Sequence, residues 1–180
     1  MAELINPYHD RLPLDSIRRL RKHWISVGLF CSSLVAISLT SVPLKPNPMD
    51  LTSFMKRYAE QIGGQFTEYN ASQSIVIVPL SGSRYQTVIG LIKKNELYNR
   101  KMITLSSKVC PVGPHLDLKM LLEQTAFFNY ARFVIRENYL QVEAVCGYDN
   151  AVEDEIKEMI REVANLADQY EMKLTGADVN

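Results

Sequence analysis

Tyr130-Ala-Arg-Phe-Val-Ile-Arg136, Glu137-Asn138, Tyr139-Leu-Gln-Val-Glu-Ala-Val145 and the run from Val152 to Leu174 decide how the chain is read. The first and third pieces are rich in aromatic and β-branched residues and flank a two-residue break, which predicts a hairpin. In the last piece Val152, Ile156, Met159, Ile160, Val163, Leu166, Ala167, Tyr170 and Leu174 recur at helical spacing. Glu153, Glu155, Lys157, Arg161 and Glu162 fall largely off that face, so the helix is amphipathic and needs a sheet to cover.

Working outward, the sheet is found upstream. Asp50 is placed to cap a helix whose Leu51, Phe54, Met55, Tyr58, Ala59 and Ile62 share a face, and Gly63-Gly64 ends it. Strands are predicted at 65–69, 74–80 and 84–92, separated by Asn70-Ala-Ser and Ser81-Gly82-Ser83, with a break at Lys93-Lys-Asn-Glu. A further strand is expected over 100–109. Cys110-Pro-Val-Gly-Pro-His is a loop, and Asp117 caps a helix running to Phe127. Residues 175–180 read as a polar tail. Runs of strands joined by short turns predict an α+β domain with an antiparallel sheet, in the order α-β-β-β(-β)-α-β-β-α over residues 49–174, and argue against a parallel nucleotide-binding sheet.

The first 48 residues form a separate segment. Before Met49 there are six basic residues and three acidic ones, whereas Met49 to Asn180 holds 14 basic and 17 acidic, so a formal net charge of +0 conceals +3 followed by −3. No charged residue occurs from Trp24 to Val42, a stretch close to the ~20 residues a bilayer-spanning helix needs. Trp24, Leu29, Phe30, Leu34, Val35, Ile37 and Leu39 make it a candidate single-pass anchor. The arginines before it would keep the N-terminus cytoplasmic and put the domain across the membrane. A cleaved signal peptide fits less well, because no A-x-A-type site precedes Val42-Pro43. The other reading makes Met49 the natural start and the protein cytoplasmic. Pro43, Pro46 and Pro48 form a stiff spacer in either case.

Reactive constellations are missing from this sequence. It has neither G-x-x-x-x-G-K-[ST] nor G-x-G-x-x-G. His9, His23 and His115 lie far apart, and His115 near Asp117 reads as a surface or capping neighbourhood. Cys31, Cys110 and Cys146 lack metal-ligand spacing, and no disulfide framework is expected, although a Cys110–Cys146 pairing stays open. Asp149 and Glu153-Asp-Glu belong to the first turn of the last helix, where backbone amides favour carboxylates. No catalytic residue, cofactor site or metal site is therefore assigned. An acidic domain without a basic stripe is poor material for nucleic acid. Phe127, Phe128, Tyr130 and Phe133 are read mainly as core, with a surplus that would face a partner or a second subunit.

The order of elements, with Asn129-Tyr-Ala-Arg-Phe-Val-Ile, Asn138-Tyr-Leu-Gln-Val-Glu-Ala and Ile160-Arg-Glu-Val-Ala-Asn-Leu-Ala-Asp168, resembles the type III secretion chaperone-like fold and its YbjN-like members, regarded as bacterial sensory-transduction regulators. That resemblance covers about two-thirds of the chain. It implies a small homodimer that binds other proteins and has no catalytic residues to carry over. The expectation is a non-enzymatic protein-binding homodimer. The alternative is a small-molecule or redox sensor using Cys110 or Cys146.

Overall fold

The computed structural model describes residues 49–176. The candidate anchor at 24–42 and the spacer after it lie outside the described residues. Among the described residues no helix is long and apolar enough to cross a membrane. The chain runs α1 (Leu51–Gln61), β1 (Gln65–Asn70), β2 (Gln73–Pro79), β3 (Tyr85–Asn95), β4 (Arg100–Pro111), α2 (Leu118–Thr125), β5 (Ala131–Arg136), β6 (Tyr139–Gly147) and α3 (Glu153–Thr175). The six strands form one sheet in the order β1-β2-β3-β4-β6-β5, with every neighbouring pair antiparallel. The domain is thus α+β, as its pattern of strands and short turns predicts.

Helix α1 starts where its cap is. The Asp50 carboxylate accepts from the Ser53 backbone N–H at 3.2 Å and from the Ser53 hydroxyl at 2.6 Å. The Ser53 hydroxyl, followed by its amide, holds the Asp50 carboxyl below its ordinary value. A folded carboxyl that titrates below the unfolded one stabilises above the unfolded value and loses that contribution as pH falls through the folded one. Asp50→Ala is expected to cost about 1 kcal/mol near neutrality. In urea melts the gap from wild type should narrow as pH drops below the usual carboxylate range; a gap constant with pH would show that charge plays no part in the cap.

The hairpin that opened the reading closes on Glu137 and Asn138, at φ of 51° and 61°. Two successive left-handed residues match the twist of an antiparallel ribbon. Several boundaries differ from the sequence reading. Strand β4 runs on through Cys110 and Pro111, read from sequence as loop, because β6 supplies Leu140 and Tyr139 opposite them. Strand β3 continues through Lys93-Lys94 to Asn95, because β4 supplies partners there: Lys93 lies opposite Met102 and Asn95 opposite Arg100. Ladder pairing overrides the weak strand preference of lysine. Helix α2 stops at Thr125, short of Phe127. Helix α3 runs through Thr175, one residue into the expected tail, and ends on Gly176 at φ 70°, whose N–H donates to the Met172 carbonyl.

One face of the sheet makes the core. Phe54, Met55 and Tyr58 of α1 and Ile156, Met159, Ile160 and Val163 of α3 are buried against Val76, Val88, Ile103, Leu105, Val142 and Ala144. Helix α2 sits at the β5 end and adds Leu121 to that core. The alternate residues of every strand point the other way, and no described helix covers them.

Candidate partner-binding surfaces

The four aromatics singled out in the sequence divide. Phe128 and Phe133 turn inward and make an edge-to-face triangle with Tyr170 of α3, with centroids 5.3 Å apart between the two phenylalanines and 4.7 Å between Phe133 and Tyr170. Phe127 is 80% exposed and Tyr130 43%. Helix α2 ends at Thr125, so Phe127 and Phe128 both lie in the connection to β5, and only Phe128 turns toward Tyr170. Leu122 is 69% exposed, with Leu118 and Ile135 also exposed. These three line a cleft of about 230 Å³ between α2 and β5, floored by Leu121 and Leu140. Strand β5 is an edge of the sheet, so apolar surface here adjoins unpaired backbone.

The start of that edge strand is held by Glu162. Its carboxylate accepts backbone N–H bonds from Asn129 and Tyr130, both at 2.7 Å, and from Ala131 at 3.2 Å. Sequence reading placed Glu162 off the apolar face, which is correct, but gave no sign that it ties α3 to the entry of β5.

On the uncovered face, register lines up side chains across the strands. One row reads Thr67, Ile75, Ile89, Ser106, Glu143, Arg132 from β1 to β5. Gln73, Leu91, Thr104 and Val145 form a second row. The β2–β3 half is apolar, the β4 centre has small hydroxyl residues, and the β6–β5 half is charged. Glu143, with a side chain only 3% exposed, is held at 2.9 Å by Arg132 and at 2.6 Å by Arg136. Alternation in Tyr139-Leu-Gln-Val-Glu-Ala-Val carries the signal for this face, because Gln141 and Glu143 fall opposite to Leu140, Val142 and Ala144.

The two described cysteines do not come together. Cys110 lies opposite Leu140, and Cys146 is six positions farther along β6. At about 3.4 Å per residue that is roughly 20 Å, against the ~7 Å Cα limit for a disulfide. Both thiols are on the core side of the sheet. Burial, followed by the nearby Glu171 carboxylate, pushes Cys110 up, and burial followed by Glu155 pushes Cys146 up to about 11. The geometry excludes the disulfide that the sequence left open. Among the described residues no group of three or more His, Cys, Asp or Glu side chains could hold a metal ion.

No family model matches the chain, and no curated protein does. Among solved structures it is similar to a chain in the crystal structure of the ExsC–ExsE complex, at 15% identity and a TM-score of 0.49, over 70% of this chain and 97% of that one.

Proposed function

We propose that the domain is a non-enzymatic protein-binding module that works as a homodimer, two copies meeting through α2 and the β5 edge. The observation that carries this is the α2–β5 cleft, where Leu118, Leu122 and Ile135 stand exposed beside an open sheet edge, with Phe127 and Tyr130 at the connection between the two elements. Exposed apolar surface of this kind marks interaction sites, and aromatic anchors dominate such contacts. In sedimentation velocity the full chain is expected to run as a dimer at micromolar concentration. Leu122→Glu should shift it to monomer without changing its circular dichroism. A wild-type chain that stays monomeric at every concentration would overturn the reading.

The same proposal places the domain at a membrane, held by residues 24–42. Support comes from the uncharged stretch and from the basic residues that precede it. The protein is expected to stay with the membrane pellet through alkaline carbonate extraction. Its release into the supernatant would favour the reading in which Met49 is the start.

A further inference from the structure

The uncovered face of the sheet is distinct from the α2–β5 surface, and its composition is ordered. Ile75, Ile77, Ile89 and Leu91 of β2 and β3 form an apolar bank, each only half-buried although no described element lies over them. Lys108 stands on β4 and Arg132 and Arg136 beyond it on β5, with Lys93 of β3 and Arg100 of β4 at one end. The acidic groups here are Glu143 and the turn residue Glu137. Five basic side chains against two acidic ones contrast with a domain that is −3 as a whole. Lys108 is steered along the face, its Nζ 4.7 Å from the Tyr139 ring centroid.

Between the two banks the small side chains of β4 leave a trough. Thr104 and Ser106 lie on its floor, with Ile89 and Leu91 on one wall and Gln141 and Arg136 on the other, around a depression of about 320 Å³. Thr104 is 3% exposed, and its hydroxyl has no hydrogen-bond partner in the described structure. A buried hydroxyl left unpaired costs stability unless something completes it. Here it lies beneath the floor of a trough walled by hydrocarbon on one side and, on the other, by Gln141 with the basic Lys108 and Arg136 and the acidic Glu137 and Glu143.

We infer that this trough is a docking surface for an acidic amphipathic segment of a protein partner. The segment lies along β4, its apolar flank on Ile75, Ile77, Ile89 and Leu91 and its carboxylates toward Lys93, Lys108, Arg132 and Arg136. The Thr104 hydroxyl donates to it at the floor. The inference rests on the reading of the domain as a protein-binding module, and it names the chemistry of the partner. It requires that dimerisation leave this face of the sheet open.

The test uses the purified full chain and two synthetic helical peptides of about 14 residues, roughly 21 Å long. Both share one leucine stripe, and one carries glutamates where the other carries lysines. In fluorescence anisotropy the glutamate peptide is expected to bind at least about tenfold more tightly than the lysine peptide, with an affinity that falls as salt rises. Ile89→Glu should weaken it by roughly tenfold and Lys93→Glu by several-fold, the latter being a surface change that leaves folding intact. Thr104→Val should weaken it a few-fold, while Leu122→Glu leaves it unchanged. Equal binding of the two peptides, or loss of binding with Leu122→Glu and not with Ile89→Glu, would overturn the inference. So would conversion of a wild-type dimer to monomer by Ile89→Glu, which would make this face the self-interface. No glutamate-peptide binding to an intact dimer would sink the docking inference alone; binding to a strict monomer would sink only the dimer.

Discussion

Gly64→Ala is expected to lower the unfolding free energy by about 3 kcal/mol in urea denaturation, while Gly63→Ala, one residue earlier, costs about 1 kcal/mol. The two glycines close α1 together but for different reasons. Gly63 takes the left-handed conformation at φ 69°, and a Cβ there would meet nothing within 4 Å, so its penalty is conformational. The Gly64 N–H reaches back to the Ala59 carbonyl at 2.8 Å and completes the cap. A Cβ on Gly64 would overlap the backbone carbonyl oxygen of Ile77, with Pro79 Cδ next at 3.3 Å. That oxygen belongs to β2 where Gln65 lies opposite Ile77, so it cannot retreat without opening the β1–β2 pair. Equal losses for the two variants would show that the overlap is relieved by a shift of the cap and not borne by the sheet.

The same pair shows what a sequence reveals. Gly63-Gly64 announces a helix end, and the α3 pattern announces a long helix, because both are local periodic or stereochemical signals. Runs of β-branched residues between turn residues announced the antiparallel sheet for the same reason. Side-chain fates set by distant partners were not legible. Phe127 and Phe128 are chemically identical neighbours, yet only Phe128 finds Tyr170, more than forty residues away in sequence. Glu162 looks like any solvated helix glutamate until the Asn129–Ala131 amides arrive on it. Glu171 is a partial case: it follows Ala167 by one helical turn and so belongs to the buried stripe, where Gln86 Nε2 donates to its Oε2 at 3.3 Å. The one-sided sheet was available in principle, since alternation in β6 separates Leu140, Val142 and Ala144 from Gln141 and Glu143. What alternation does not show is whether another layer covers the polar side.

Arg132→Ala and Arg136→Ala are each expected to cost less than about 1 kcal/mol, and the double variant about 3 kcal/mol. Each arginine is about half exposed, at 54% and 45%, so its ion pair is screened and its loss alone is mild. Either one leaves the other on Glu143. Removing both leaves a carboxylate that is 3% exposed without a cation, which is the costly case; the half-open arginines keep the figure at the low end of the range for breaking a buried pair. The double-mutant cycle should therefore show a coupling of about 1 kcal/mol or more. Additive losses would mean that water or Ser106, across the strand pair, already suffices for Glu143. The decisive arm is Arg132→Ala/Arg136→Ala/Glu143→Leu. Replacing a buried ion cluster by hydrocarbon is often neutral, so this triple variant is expected within about 1 kcal/mol of wild type. If it is, the cluster contributes little to holding the sheet together, and its charges are free to act outward. The glutamate peptide should then lose roughly tenfold in affinity for a fully folded protein. Undiminished binding by the triple variant would place recognition on the apolar bank alone and remove the charge half of the docking surface.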